Sequence, residues 1–332
     1  MRFHFGTVRL APAAPAVLLL LALSGSATSV AQEGRAYPSE PIRIIVPFGP
    51  ASGPDFAIRA LQASLQDVIK QSVRVENRPG ANSIIGTRAV ATSAPDGYTL
   101  LGASTGFSTI ASTAAQLGFD PLNDFAPVGL TARSAGYLLV VSSKSTITSM
   151  QELVAQSKKT PVFYGSPGIG NTLHLAAALF AEKTGGAFKH VPYPGVADAV
   201  LAAARGEVTF VFATPPAVMS QIQSGDLRAI GYAGSSPFAE LPTVPLISSL
   251  APEFRLAEPW SGILAPAKTS DATVAILNGA LRDVAVLPKY AATLQAGGYR
   301  PEASSPAEFR AFLAQNIADW RAAAQAAGAS PK

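Results

Sequence analysis

Apolar and polar positions along this chain follow two rhythms. Short β-branched runs give way to stretches with a period near 3.6 residues, the pattern of an α/β protein. Residues 42–48 (I-R-I-I-V-P-F) predict a buried strand. Ile58, Leu61, Leu65, Val68 and Ile69 then fall on one face of a helix that begins near Asp55. Further strands are predicted over 73–76, 98–103, 137–142, 162–165, 208–212, 227–232 and 259–265, and helices over 85–92, 148–158, 217–224 and the C-terminus. Thr148 with Gln151, and Ser305 with Glu308, read as capping boxes, the second with Pro306 at the first helical position. Phe309, Phe312, Leu313, Ile317 and Trp320 form one apolar stripe, which predicts core packing.

Two of these strands deliver the chain through a Gly/Pro/Ser loop into a helix. The first loop is F-G-P-A-S-G-P-D (48–55), the second S-P-G-I-G-N (166–171), where Asn171 is placed to cap a helix carrying Leu173, Ala176, Ala177 and Phe180 on one face. The first amides of a helix lack internal partners and its dipole favours negative charge, so each loop predicts an anion cradle. If each belongs to a separate lobe, the two can face one cleft at the carboxyl ends of the strands.

The N-terminus adds a destination. Arg2, His4 and Arg9 precede A-V-L-L-L-L-A-L (16–23), an apolar core too short to span a bilayer, and Ser29-Val30-Ala31 offers small residues before a cut at Gln32. Residues 1–31 are therefore expected to be a cleavable secretion signal, and the mature protein periplasmic. The remainder of the 332 residues is long for one core, so two lobes are expected. The formal net charge of +4 owes part of its size to the leader arginines, and no basic run points to nucleic acid. The absence of cysteine removes disulfides, thiolate chemistry and thiolate-bound metal.

Catalytic readings find few partners. G-A-S-T-G (102–106) matches the nucleophile elbow G-x-S-x-G after a predicted strand, but a hydrolase of that class needs its histidine late in the chain. The mature histidines, His174 and His190, both precede the last 140 or so residues. Ser104 reads instead as a donor at a strand end, with an ordinary turn serine as the alternative. Asp55 reads as a cap more readily than as a catalytic carboxylate, His174 as a packing or loop-bonding residue, and Arg78 as either a carboxylate partner or a loop anchor. Metal spacing, a dinucleotide fingerprint and a phosphate-binding G-K-[ST] are all missing, so no cofactor is expected. What remains is a cleft rich in amide and hydroxyl donors, suited to holding carboxylates.

Several segments carry a family resemblance: V-P-F-G-P-A-S-G-P-D (46–55), V-E-N-R-P-G-A (75–81), P-D-G-Y-T-L-L (95–101), Y-G-S-P-G-I-G-N-T-L-H-L (164–175), H-V-P-Y-P-G (190–195), G-D-L-R-A-I (225–230), L-P-T-V-P (241–245) and W-S-G-I-L-A-P (260–266). Together they resemble the Bug proteins, extracytoplasmic substrate receptors related to the tripartite tricarboxylate transporters, over nearly all of the mature chain. The resemblance implies a non-enzymatic periplasmic binding protein of two α/β lobes, 37–137 with 260–332 and 138–259, hinged on two crossing strands at 137–142 and 260–265. It implies a small di- or tricarboxylate or aromatic acid held between them, for uptake or sensing. Expected partners are that acid, membrane permease subunits or a sensor kinase, with the receptor a monomer.

The positions matching the family's binding loops are Phe48, Gly49, Ala51, Ser52, Gly53 and Asp55; Ser104 and Thr105; Ser166, Gly168, Gly170, Asn171, Thr172 and His174; Tyr193; and Ala213 with Thr214. The chain departs from the family at three places. Ala51-Ser52 and Asn82-Ser83 stand where Gly-Gly is usual, and Phe212-Ala213-Thr214-Pro215-Pro216 replaces F-D-N-x-P. Loss of that Asp removes an acceptor for a ligand ammonium, which favours a plain acid over an amino acid.

Overall fold

The computed structural model describes residues 1–4, 6, 37–134, 136–326 and 329; apart from its first positions, the expected leader with its cut before Gln32 lies outside the described residues. From Tyr37 onward the chain builds two sheets, each flanked by helices.

The first sheet holds β1 (Ile42–Val46), β2 (Val73–Asn77), β3 (Thr99–Ser104), β4 (Phe125–Ser134), β10 (Trp260–Pro266) and β11 (Tyr299–Pro301), in the order β11-β4-β10-β3-β1-β2. The second holds β5 (Gly136–Ser142), β6 (Val162–Ser166), β7 (Phe188–Pro192), β8 (Phe210–Ala213) and β9 (Leu227–Gly234), in the order β7-β6-β8-β5-β9. β1, β2 and β3 pair in parallel, as do β6, β7 and β8, while β10 and β5 run antiparallel to their neighbours. The chain leaves the first sheet between β4 and β5 and returns between β9 and β10. The strand of 137–142 thus lies within the second sheet and that of 260–265 within the first.

The helices are α1 (Gly53–Ile69), α2 (Ile84–Ala91), α3 (Thr105–Thr113), α4 (Met150–Ser157), α5 (Thr172–Thr184), α6 (Val196–Arg205), α7 (Pro215–Gln223), α8 (Asp271–Ala285), α9 (Pro288–Gln295) and α10 (Pro306–Ala326). The amphipathic pattern after Asp55 does what its spacing requires. Ile58, Leu61 and Leu65 of α1 are buried with Ile42, Ile44 and Val46 of β1. Burying such a side chain removes enough apolar surface to contribute roughly 1.5–3 kcal/mol. In α10, Phe309, Leu313, Ile317 and Trp320 are buried, and the Glu308 amide and the Ser305 amide exchange bonds with each other's side chains at 3.2 and 2.8 Å.

Some elements differ from expectation. The box at the start of α4 is Ser149 with Glu152, one residue later than Thr148 with Gln151: Ser149 Oγ accepts the Glu152 amide at 3.2 Å, and Glu152 accepts from both donors of Thr148. Asp55 is not the cap of α1. Ser52 is, and Asp55 lies in the first turn, with its amide on Ser52 Oγ at 3.4 Å.

Candidate functional site

Parallel strands send their connections out at one end, and here those ends from both sheets face each other. Between them lies a cavity of about 120 Å³. Six helices present their N-termini to it: α1 through Ser52, Gly53 and Pro54, α2 through Ser83, α3 through Ser104, Thr105 and Gly106, α5 through Asn171, Thr172 and Leu173, α6 through Gly195 and Val196, and α7 through Thr214. Among the described residues, no ionisable carboxylate, amine, guanidinium or imidazole lines it, and the titratable groups that do are the phenols of Tyr137 and Tyr299. Each N-terminus carries a partial positive charge and up to four amides without helical partners, so the positive potential is built from backbone alone.

The caps decide which amides are free. Ser52, Ser104 and Asn171 each use a side-chain oxygen on one first-turn amide, at 3.4, 3.3 and 3.0 Å. Gly195 has no side chain, so α6 has no such bond to spend. Helix α7 opens with Pro215-Pro216, which lack N–H groups, and so it offers the Thr214 hydroxyl in their place. The apolar part of the wall comes from Phe48, Tyr137, Leu173, Trp260, Tyr299 and several prolines. Burial pushes the Tyr137 and Tyr299 phenols well above their ordinary range, each helped by a neighbouring tyrosine, so both remain donors. Gly53 is required where α1 meets this wall. A Cβ there would collide with the Tyr299 hydroxyl and come within 2.7 Å of Thr214 Cγ2.

The expected site residues divide into two groups. Phe48, Gly49, Ser52, Gly53, Ser104, Thr105, Asn171, Thr172 and Thr214 line the cavity. Ala51, Asp55, Ser166, Gly168, Gly170, His174, Tyr193 and Ala213 do not, and most of them hold the loops from behind. Asp55 is buried and accepts from the Ala51 amide at 3.0 Å, Asn77 Nδ2 at 2.7 Å and Arg59 Nε at 2.9 Å. These bonds fix Ala51 in the left-handed region at φ 60°, the conformation that glycine would take there freely. Ser166 Oγ bonds His190 Nε2 at 2.7 Å, and His174 Nδ1 accepts the Gly170 amide at 3.3 Å. The two imidazoles lie 4.3 Å apart beside Tyr164. Burial lowers the pKa of both, and burial with the neighbouring His174 takes His190 down to about 4.

Gly168 and Gly170 turn the second loop at positive φ. A Cβ on Gly170 would come within 2.6 Å of Thr113 Oγ1 on α3. The Tyr193 amide bonds the Ser166 carbonyl at 2.9 Å and its ring lies against Gly165, while Ala213 is buried opposite Leu138 on β5. Arg78 pairs with Glu76 at 2.6 Å, a loop anchor. Ser104 caps α3, and the bonds of His174 and His190 go to Gly170 and Ser166, so no base activates it.

Residues that loop reasoning missed are Tyr137, Pro259, Trp260 and Tyr299, brought in from sheet ends, and the 79–83 loop before α2. The E-N-R-P-G segment signalled that loop only as part of a family pattern.

Residues 57–329 match the tripartite tricarboxylate transporter family receptor. The chain is 35% identical to Protein BugT of Bordetella pertussis over 323 residues, 95% of this chain and 97% of the relative. Among solved structures it is similar to the periplasmic binding protein BugD, with a TM-score of 0.84 and 26% identity, covering 89% of this chain and 100% of that one. It is also similar to an R. palustris protein solved with adipate, with a TM-score of 0.85 and 28% identity over 89% and 100% of the two chains. The chain belongs to the tripartite tricarboxylate transporter receptor family, a family of substrate-binding receptors and not of enzymes.

Proposed function

We propose that this receptor captures a small organic acid between lobes 37–137 with 260–332 and 138–259, and that the acid's carboxylate is held by helix N-termini and hydroxyls without a counter-charge. The observation that carries this reading is the convergence of six helix N-termini on a cavity that no charged side chain lines among the described residues. A carboxylate suits such a wall, since hydrogen bonds to a charged group contribute about 1.5–3 kcal/mol each. An ammonium does not, because no acidic side chain faces it among the described residues. Ala213 stands where an acidic residue is usual in the family, which argues further for a plain acid over an amino acid. The cavity is of the same order as one that holds benzene, about 150 Å³, so the acid is small. The similar protein solved with adipate supports the ligand class.

The protein would act in the periplasm as a monomer after removal of residues 1–31. It would present its ligand to membrane permease subunits or a sensor kinase. A thermal-shift screen over di- and tricarboxylates, aromatic acids and amino acids tests the reading. A true ligand at 100-fold its dissociation constant adds about 2.7 kcal/mol of stability. Acids should raise the melting temperature and amino acids should not; a screen in which no acid does so overturns the reading.

A further inference from the structure

The loop before α2 has three consecutive residues other than glycine in the left-handed region: Ala81 at φ 46°, Asn82 at 52° and Ser83 at 76°. Of these only Asn is a common occupant of that region. Local bonds hold the backbone there, from the Ile84 amide to the Ala81 carbonyl at 3.1 Å and from Thr87 Oγ1 to the Ser83 carbonyl at 2.9 Å. The Asn82 side chain is thus presented from a fixed backbone, and it reaches across the cleft. Its Oδ1 accepts from Asn171 Nδ2 at 3.1 Å, and its Nδ2 donates to the Ile169 carbonyl at 3.4 Å. Asn171 caps α5 and lines the cavity, so one end of this bridge touches the opposing binding loop directly. The other end touches the ligand's space as well: Ser83 lines the cavity, with a buried hydroxyl that has no partner among the described residues.

We propose that Asn82 is a latch between the lobes, a positioning residue that holds the cleft shut over the ligand by bonding the rim of the second lobe through both ends of its amide. Other polar contacts across the cleft come from α3: Thr113 Oγ1 to the Gly170 carbonyl and Thr109 Oγ1 to Thr172 Oγ1, each at 3.5 Å. The Asn82 bond to Asn171 is shorter and lies on a different loop, so it adds a second point of closure. A latch of this kind acts on the rate of opening. Its loss therefore speeds dissociation, and by enlarging the open fraction of the ligand-free protein it does not slow entry.

The test variant is Asn82→Gly, which deletes both bonds and accepts φ 52° without strain. Two rates and one distance are read. With the strongest acid from the panel, dissociation from Asn82→Gly should be about five- to a hundredfold faster, the loss of two net hydrogen bonds, with association no slower than in wild type, since a larger open fraction only speeds entry. The distance comes from spin labels on Asp67→Cys and Lys158→Cys, both exposed, in a chain without native cysteine. Ligand-free Asn82→Gly should show a longer or broader interlobe distance than the ligand-free parent, with a cooperative melting transition that shows the variant folded. Unchanged dissociation, or faster dissociation with an unchanged distance distribution, overturns the latch. The ligand arm rests on the carboxylate reading and the distance arm does not. If the wild type binds no acid, that reading fails and the distance comparison alone decides for or against the latch.

Discussion

The two binding loops do the same work on opposite walls of the cleft, with different support behind them. The first, leading into α1, is braced by a buried carboxylate: Asp55 gathers the Ala51 amide, Asn77 and Arg59. The second, leading into α5, is braced by two neutral imidazoles, His174 on the Gly170 amide and His190 on Ser166. In both, the ionisable group is turned away from the ligand and only amides, hydroxyls and apolar surface face the cavity. The difference teaches that what the loops share is their inner surface. The support can be ionic or neutral, provided that no fixed charge reaches the ligand.

The variant that should break this comparison most strongly is Asp55→Ala. It removes the acceptor of the Ala51 and Asn77 donors and leaves Arg59 without its partner. About 3 kcal/mol of stability should be lost, below the upper end for a buried pair because the Arg59 side chain is 46% exposed. Chemical denaturation reads this loss, and acid binding should weaken with it. Gly170→Val tests the second loop from its backbone. A Cβ at φ 76° against Thr113 should cost about 2 kcal/mol. Titration calorimetry should find the affinity reduced at least tenfold while circular dichroism reports a retained fold.

Arg59→Gln keeps Asp55 and removes a half-exposed partner, so it should cost only about 1 kcal/mol. A loss as large as that of Asp55→Ala would mean that the ion pair, not the carboxylate's amide bonds, braces the first loop.

The last effect is conditional on pH and absent at neutral pH. His190 is held neutral down to about 4 in the fold, against an ordinary value of 6.5. Below pH 6.5 the unfolded chain takes up the proton first, so stability present above that pH is lost as pH falls from 6.5 towards 4. Melting temperatures of wild type and His190→Gln should therefore diverge over that window, the wild type falling faster. Parallel curves would remove the imidazole from the account of the second loop.

The fold was legible where periodicity was unbroken, as in α1, β1 and the stripe of α10. It was not legible in β4, where Pro127 and Gly129 interrupt the apolar run, or in α3, whose T-G-F-S-T-I-A-S-T has the composition of a loop. Helix α3 forms because its hydroxyls bond its own carbonyls, Thr109 to Gly106 and Ser112 to Ser108, while Phe107 and Ile110 are buried. The site divides in the same way. Loop chemistry identified Ser52, Ser104 and Asn171, because a strand that ends in a small-residue loop before a helix carries its own signal, while Thr214 was marked only by the family resemblance. Asp55, Ser166 and His174 were drawn in by their side-chain types, and the partners that turn them away are Arg59, one turn further along α1, and Asn77 and His190, which lie on other elements. Tyr137, Trp260 and Tyr299 reach the cavity through sheet order, which no local pattern records.

The central claim is that a carboxylate is held here by neutral donors from both lobes. Its most direct measurement is calorimetric titration of the wild type with the best acid of the panel and, separately, with that acid's primary amide. The account predicts saturable binding of the acid and at least a hundredfold weaker binding of the amide, which lacks the charge that helix N-termini favour. Equal binding of the two, or binding of the amide alone, would contradict it.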